Sequence, residues 1–198
     1  MSSHYQKAYF LLSAADISQL PPDEGVEIAM VGRSNAGKSS VLNKVTNIKG
    51  LARVSNTPGR TQLINVFMID DGRRLIDLPG YGFAKVPISA KKKWQKLVDS
   101  YIQSRESLKG LIMVMDIRHP MKDLDQQLLQ YCDEQKLAVH ILLNKADKLS
   151  NNEIAKKVAF VEECLAGSSS NATYQVFSAL RGLGVKELHG LMDEWMKY

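Results

Sequence analysis

The sequence predicts a three-layer α/β fold in which helices cover both faces of a mostly parallel sheet. Short apolar runs alternate with amphipathic helical patterns along 198 residues, a length that suits a single domain, residues 1–198. A glycine-rich loop joins an apolar run at 27–31 to a helical pattern at 38–45. Two later runs are separated only by Asp-Asp-Gly at 70–72, a hairpin signal that predicts one antiparallel edge strand.

The other elements follow from the same two periodicities. A weaker apolar run at 8–12, ahead of Pro21 and Pro22, leaves open a further short strand within an N-terminal extension, residues 1–24. Apolar runs predict strands, and apolar residues three and four positions apart predict helices. The remaining predicted strands are 63–69, 73–77, 110–116, 138–144 and 174–177, and the predicted helices are 90–104, 122–134, 152–165 and 185–196.

Composition excludes several classes of protein. No apolar stretch approaches the roughly 20 residues of a membrane span, and the N-terminus lacks a signal-peptide core. We therefore expect a cytoplasmic protein that does not bind membranes. Cys132 and Cys164 lie far apart in helical patterns, which argues against a disulfide framework or a zinc site and predicts small buried hydrophobes.

The glycine-rich loop fits the pattern G-x-x-x-x-G-K-[ST], whose backbone N–H groups close around phosphates. The helix that follows directs its partial positive charge and free N–H groups at the same phosphates. We expect Lys38 to contact the β- and γ-phosphates and Ser39 to bind Mg²⁺. The predicted phosphate-binding residues are Gly32, Arg33, Ser34, Asn35, Ala36, Gly37, Lys38 and Ser39.

A second motif, Asn-Lys-Ala-Asp, predicts which base is bound. The carboxylate of Asp147 only accepts hydrogen bonds, so it needs paired donors opposite it. Guanine offers N1–H and an exocyclic amine, whereas adenine would present a lone pair, so GTP and GDP are favoured over ATP. A short motif after the last strand is expected to complete the pocket. The predicted base-binding residues are Asn144, Lys145, Ala146, Asp147, Phe177, Ser178 and Ala179, with the Ala179 N–H offered to the base oxygen.

Asp77-Leu78-Pro79-Gly80 ends an apolar strand, where ligands gather in open α/β sheets. Asp77 can hold Mg²⁺ through water, and the Gly80 N–H can contact the γ-phosphate. The segment 77–95 is the predicted switch II. A polar segment at 50–62 is the predicted switch I, in which Thr61 is expected to join Ser39 on Mg²⁺, with Thr57 as the competing candidate. Gly59, Arg60, Gln62 and Leu63 complete the predicted nucleotide-binding set, and Lys38, Thr61 and Gly80 are its predicted catalytic members.

These motifs together resemble those of the bacterial EngB (YihA/YsxC) GTP-binding proteins. The resemblance spans nearly the whole chain and is carried most specifically by Pro-Gly-Arg-Thr-Gln at 58–62 and Asp-Leu-Pro-Gly-Tyr-Gly at 77–82, with Asp-Ile-Arg-His-Pro at 116–120 in support. It implies a TRAFAC-class GTPase, expected to act as a monomer, that functions in assembly of the large ribosomal subunit and is linked to cell division and septation. Leu180 stands where the wider GTPase class often has a lysine that stacks on the base.

Two positions bear on hydrolysis. Tyr81 directly follows Asp77–Gly80, where Ras-like enzymes place a glutamine that orients the attacking water. A phenol does not reproduce the paired donor and acceptor of an amide, so slow intrinsic hydrolysis is predicted. Asn35 lies where GTPases resembling this one place an asparagine that can ligate K⁺, which makes K⁺ a candidate activator beside Mg²⁺.

Charge distribution favours an RNA-rich partner. Residues 44–109 contain 13 Lys or Arg against 5 Asp or Glu, a surplus of 8 in a chain whose net charge is only +5. Lys91, Lys92 and Lys93, next to Trp94, are candidates for contacting rRNA phosphates together with Arg53, Arg60 and Lys85. A solvated helix face explains the three lysines equally well. His119 is expected to order a loop, because no nucleophile is paired with it.

Two other function classes share part of this pattern. A P-loop small-molecule kinase would need 32–39 but not 144–147, and an RNA-binding module would need the basic segment but no phosphate loop. Among GTPases, a role in tRNA modification or ion transport is the nearest alternative, although no additional domain in the sequence supports it.

Overall fold

The computed structural model describes residues 4–52, 63–82, 88–167 and 172–198, with the side chains of 88–91 and 93 left out. The strands are β1 (Tyr9–Ala14), β2 (Val26–Gly32), β3 (Ile64–Asp70), β4 (Arg73–Asp77), β5 (Leu108–Asp116), β6 (Val139–Asn144) and β7 (Thr173–Val176). The helices are α1 (Lys38–Thr46), α2 (Ile88–Ser104), α3 (Asp123–Glu134), α4 (Asn151–Ala166) and α5 (Val185–Met196). Each predicted strand and helix is present, with ends that differ from the predictions by a few residues.

The seven strands form one sheet in the order β1-β3-β4-β2-β5-β6-β7. The pairs β4–β2, β2–β5, β5–β6 and β6–β7 are parallel, and β3 runs antiparallel to both of its neighbours. The predicted antiparallel edge pair is therefore confirmed. The carboxyl ends of β2, β4, β5, β6 and β7 lie along one edge of the sheet, which is where ligands bind in open α/β folds.

The N-terminal extension supplies the outermost strand. β1 pairs with β3 along its length, with a bulge between Phe10 and Leu12. It covers the free edge that the β3–β4 hairpin would otherwise expose, since an uncovered edge strand invites pairing with another chain. The possible short strand in the extension is thus present, and it is part of the same sheet as the rest of the chain.

The core has two halves, one on each face of the sheet. On one face, Val98, Leu129 and Val161 from α2, α3 and α4 pack against the strands. On the other face, Leu42 of α1 and Leu188 of α5 do the same. This arrangement confirms the predicted three-layer fold. No helix among the residues that the model describes is long and apolar enough to cross a membrane.

The two cysteines lie on the first of these faces. Cys132 is fully buried, and burial raises the pKa of its thiol to about 12. Cys164 is half-buried and packs at the edge of the same cluster. Both thiols are free. Cys132 is therefore buried as predicted, whereas Cys164 is only partly so.

A buried charge cluster closes the sheet at the end opposite the strand carboxyl termini. The Glu27 carboxylate is completely buried at the start of β2. It accepts hydrogen bonds from Arg74 (3.0 Å), from the Tyr101 hydroxyl (2.7 Å) and from Arg105. Burial and the neighbouring Glu27 charge raise the pKa of Tyr101 well above its usual value. Because each ion has its partner, the cluster holds β2, β4 and α2 together. It lies at the end of the sheet opposite the strand carboxyl termini.

Candidate functional site

The loop 32–37 leaves β2 and delivers the chain into α1 at the carboxyl edge of the sheet. Gly37 is the N-cap of α1 and has φ of +97°, in the left-handed region that glycine adopts at least cost. A Cβ at this position would overlap the side-chain amide of Asn144. Because the cap has no side chain, no side-chain acceptor covers the first N–H groups of α1. The loop and helix therefore form the anion-binding end that the motif predicts.

Lys38 and Asp77 form an ion pair at the floor of this site. The Lys38 ammonium contacts Asp77 Oδ1, and both side chains are nearly buried. Asp77 Oδ2 accepts a hydrogen bond from Asn65 Nδ2 at 3.2 Å, and Asn65 Oδ1 accepts from the Ser13 hydroxyl at 2.6 Å. Since Ser13, Asn65 and Asp77 face one another across β1, β3 and β4, the sheet itself fixes the Asp77 carboxylate.

The oxygen groups at this point suit Mg²⁺. A carboxylate at Asp77 and a hydroxyl at Ser39, in the first turn of α1, are the hard oxygen donors that this ion prefers. Asp77 already holds one cation, the Lys38 ammonium. The same carboxylate can hold Mg²⁺ through water once phosphates draw the ammonium away. The residues present therefore fit the ion.

The chain after Asp77 lies against the phosphate loop. The Leu78 N–H donates to Met30, and Tyr81 both donates to the Gly32 carbonyl (3.2 Å) and accepts from the Ser34 N–H (2.8 Å). On the other side, the Trp94 indole of α2 donates to the Pro79 carbonyl at 2.6 Å. These bonds hold Gly80 between the phosphate loop and α2.

The Tyr81 side chain points away from solvent. Its hydroxyl donates to Asp125 Oδ1 at 2.6 Å, and both residues are buried. Burial and the Asp125 charge raise the pKa of Tyr81 well above its usual value, and burial also raises the pKa of Asp125. The Tyr81 hydroxyl is therefore bonded to a residue of α3. The structure thus gives a geometric reason, in addition to the chemical one, for expecting no water-orienting role at this position.

Asn144 cross-links the two nucleotide motifs. Its Nδ2 donates to the Ala36 carbonyl at 2.9 Å, and its Oδ1 accepts from the Ala179 N–H at 3.1 Å. The Ala146 N–H donates to the Phe177 carbonyl at 3.1 Å. The phosphate loop, the turn after β6 and the turn after β7 are therefore one hydrogen-bonded unit. In this unit the Ala179 N–H, predicted to face the base oxygen, is bonded to Asn144.

Asp147 has one carboxylate oxygen bonded to Ser178 and the other close to Lys148, and 7% of its side chain is exposed. Its Oδ1 accepts from the Ser178 hydroxyl at 2.6 Å, while its Oδ2 is 3.6 Å from Lys148 Nζ. The hydrogen bond from Ser178 holds the pKa of Asp147 below its usual range, so the group is ionised at neutral pH. The ionised carboxylate is the kind of acceptor that guanine recognition requires. Leu180, 69% exposed, follows this turn.

The Lys145 side chain lies across the phosphate loop. Its ammonium donates to the Asn35 carbonyl at 2.5 Å and to Asp116 Oδ2 at 2.9 Å. Asp116 ends β5 and also holds Arg118 through its guanidinium. The exposed His119 closes the adjacent turn, its N–H donating to the Asp116 carbonyl at 2.9 Å. That bond is made by the backbone, so the role expected of the His119 side chain stays a prediction.

The structure brings most of the predicted site residues to one edge of the sheet: 32–39, 77–80, 144–147 and 177–179. Thr57, Thr61 and residues 59, 60 and 62 lie outside the described residues, as do Arg53 and Lys85, and their roles stay predictions. Leu63 is exposed just before β3. Sequence reasoning assigned no role to Asn65 or Asp116, although Asp116 is polar and ends a buried strand, a signal that could have marked it.

A protein-family model matches more than half of the chain. The family model described as 50S ribosome-binding GTPase matches residues 27–145, from the start of β2 to the second residue of the Asn-Lys-Ala-Asp motif. That range contains the phosphate loop, both predicted switch segments and the basic segment 44–109.

Curated relatives match nearly the whole chain. A probable GTP-binding protein EngB of Pseudoalteromonas atlantica is 54% identical over 196 residues, covering 99% of this chain and 95% of the relative. The protein of the same description from Aliivibrio fischeri (strain MJ11) is 52% identical over 192 residues, covering 97% and 89%. Among solved structures, a probable GTP-binding protein engB superposes with a TM-score of 0.71 at 21% identity, covering 87% of this chain and 99% of that one.

Proposed function

Because the chain belongs to the EngB family of GTP-binding proteins, we propose that it acts as a GTP-controlled switch in assembly of the large ribosomal subunit. The chain is a P-loop GTPase. The observation that carries the proposal is the meeting of the phosphate loop, Asp77 and Asp147 at one edge of the sheet, in a family whose model is described as ribosome-binding. We further propose that it acts as a cytoplasmic monomer and that normal division and septation depend on it.

Nucleotide binding would exchange partners at the floor of the site. The Lys38 ammonium would leave Asp77 for the β- and γ-phosphates, and the freed carboxylate would help to hold Mg²⁺. Ser39 and Thr61 would ligate the ion, which would supply charge stabilisation as a water oxygen bonds to the γ-phosphorus and the bond from that phosphorus to the bridging oxygen breaks, releasing GDP and phosphate. The Gly80 N–H donates to the γ-phosphate. Loss of that phosphate on hydrolysis removes this contact and releases the switch segments.

Hydrolysis by the isolated protein is expected to be slow and to depend on K⁺. Tyr81 is bonded to Asp125 and supplies no amide to orient water. Asn35 holds a left-handed conformation, with φ of 64°, at the middle of the phosphate loop, where a bound K⁺ could supply positive charge beside the phosphates. We expect turnover to be about tenfold faster in KCl than in NaCl at equal ionic strength.

The measurement is phosphate release at saturating GTP, with Asn35→Ala as the matched variant. Asn35→Ala should turn over equally slowly in both salts while still binding GDP. Equal rates for the wild-type protein in KCl and NaCl, both alone and with ribosomal particles, would remove K⁺ from the mechanism.

The three consecutive lysines at 91–93, near the start of α2, are proposed to contact rRNA. α2 begins within the basic segment, and the Lys92 side chain is exposed on it. Replacing Lys91, Lys92 and Lys93 with alanine should weaken association with large-subunit particles. The slope of log affinity against log salt concentration should also become shallower, by up to about one unit for each phosphate contact that is lost. GTP affinity should stay unchanged, because these residues lie outside the nucleotide motifs. The measurement is co-sedimentation with purified particles across a KCl series.

A matched variant removes three lysines elsewhere, Lys156 and Lys157 on α4 and Lys186 on α5, and should sediment like the wild-type protein. Parallel runs with GDP and a non-hydrolysable GTP analogue test the switch, and the analogue should tighten binding. A triple variant of 91–93 with wild-type affinity at every salt concentration would leave these lysines as a solvated face. A wild-type protein absent from ribosomal fractions would favour the alternative, a GTPase of another RNA-linked process such as tRNA modification.

A further inference from the structure

Asp116 lies beside the Asn-Lys-Ala-Asp motif at the carboxyl edge of the sheet. It ends β5 and pairs in register with Asn144, the last residue of β6. Its carboxylate is mostly buried, with 17% of the side chain exposed. Oδ2 accepts from Lys145 Nζ at 2.9 Å and from Arg118 Nη2 at 2.7 Å, and Oδ1 accepts from Arg118 Nε at 2.9 Å. Two cations from different segments therefore converge on one carboxylate.

Lys145 is the link from this carboxylate to the phosphate loop. The same ammonium that binds Asp116 donates to the Asn35 carbonyl at 2.5 Å. Its aliphatic stem passes close to Gly37, near the Asn144 amide. The Lys145 backbone is itself held at φ of 70°. A long side chain with much rotamer freedom is thus pinned at its tip, and that tip fixes a peptide group of the loop that must receive the phosphates.

We propose that Asp116 is a positioning residue for guanine-nucleotide binding, which it supports by holding the Lys145 ammonium on the Asn35 carbonyl. The inference rests on the proposed GTP-binding function. Asp116 acts through Lys145, whose ammonium it binds. It preorganises the phosphate loop equally for GDP and GTP, because its contact is with Lys145, which in turn holds a peptide group of the loop.

The charge state of Asp116 suits this role. Burial alone would raise the pKa of its carboxyl, but the hydrogen bonds from Arg118 and Lys145 outweigh burial and hold the pKa well below its usual range. The group is therefore a full anion throughout the neutral range. An anion pairs with the Lys145 ammonium, whereas an amide at the same place would offer it a competing donor.

Asp116 also has a local role, which the test must separate. Its Oδ1 accepts from the Arg118 N–H at 3.1 Å, closing the turn after β5. Asp116→Asn keeps an acceptor for that N–H, so the turn is preserved, and it places the amide NH₂ toward Lys145. This substitution removes the contact to Lys145 while leaving the turn chemistry in place.

The experiment is a double-mutant cycle on GDP and GTP affinity, with kcat and KM for hydrolysis. Asp116→Asn should raise both dissociation constants, and the KM for GTP, by about tenfold without changing kcat. In a Lys145→Ala background, which should itself bind more weakly, the same substitution should have no further effect. Asp123→Asn, an equal charge change on the exposed first turn of α3, should match the wild-type protein.

Arg118→Ala is a second variant that loosens the carboxylate without replacing it. It should give a smaller loss, about threefold, that also disappears with Lys145→Ala. This variant still tests whether Asp116 acts through Lys145 if the Asp116→Asn protein unfolds near the assay temperature. Undiminished affinity of both variants, an effect that persists with Lys145→Ala, or a fall in kcat at constant KM would overturn the proposal. Failure of the wild-type protein to bind GDP would instead overturn the proposed function.

Discussion

Lys38→Ala abolishes measurable binding of GTP and GDP, the largest effect expected of any single substitution in this chain. The ammonium is the one described side-chain cation at the floor of the phosphate site, and it is already desolvated against Asp77. Charge-assisted contacts to two phosphates are worth about 1.5–3 kcal/mol each, so their loss raises the dissociation constants by at least about a hundredfold.

The variant also leaves Asp77 without its cation. Asp77 is 4% exposed, and an unpaired charge so buried costs about 3 kcal/mol. We therefore expect the free Lys38→Ala protein to melt earlier and to show no stabilisation by GDP. Isothermal titration and thermal melts with and without GDP measure the two effects. Lys156→Ala, the same chemical change on an exposed turn of α4, should preserve both properties, and GDP stabilisation of Lys38→Ala equal to that of the wild-type protein would remove Lys38 from the site.

The sequence predicted those parts of the fold whose signals are local. The apolar run at 27–31, the glycine loop and the helix from Lys38 are neighbours in the chain, and they lie where the motif required. The hairpin was equally local, because Asp71 and Gly72 form its turn between β3 and β4. In these segments propensity, periodicity and turn chemistry agree, so tertiary packing had nothing to override.

Contacts between distant segments could not be derived in this way. Counting along the hairpin from the Asp70–Arg73 pair places Asn65 opposite Leu78, but a bulge between Met68 and Asp70 shifts the register by one residue. Asn65 therefore faces Asp77 and orients its carboxylate. No sequence pattern predicts that bulge. A one-residue shift in strand register changes every later residue pair between β3 and β4 but leaves the local composition unchanged.

The roles of polar residues were also incompletely predicted. Asn144 was expected to bind the base, yet its amide spans from Ala36 to Ala179 and joins two loops. From the sequence, Asp116 was recognised only as part of a family motif, because its partner Lys145 is 29 positions away. The chemical type of each residue was informative, but its partner depends on which strands the topology makes adjacent.

Asp147→Asn is expected to convert the base preference from guanine to xanthine. Guanine presents two donors to the Asp147 carboxylate, and their loss costs about 3 kcal/mol, so affinity for GDP should fall about a hundredfold. Xanthine carries a carbonyl in place of the exocyclic amine. An asparagine at this position can donate to that carbonyl, so xanthosine diphosphate should bind more tightly to the variant than GDP does.

The structure also indicates which way the new amide would point. The Ser178 hydroxyl accepts from the Arg181 N–H at 3.1 Å and donates its proton to Asp147 Oδ1 at 2.6 Å. A fixed donor at that position selects the carbonyl oxygen of an introduced asparagine, which places its NH₂ where Oδ2 now lies. In Ser178→Ala with Asp147→Asn this selection is lost, and the preference for xanthine should shrink.

Titration of GDP, xanthosine diphosphate and ADP into the three proteins measures the switch, with Asp123→Asn as the equal-charge control. ADP should bind none of them, because adenine offers a lone pair where guanine offers a donor. If Asp147→Asn keeps its preference for GDP, or if the wild-type protein binds ADP as tightly as GDP, then Asp147 is not the group that reads the base. Base selection would in that case have to come from backbone groups of the turns after β6 and β7, which Asn144 holds together.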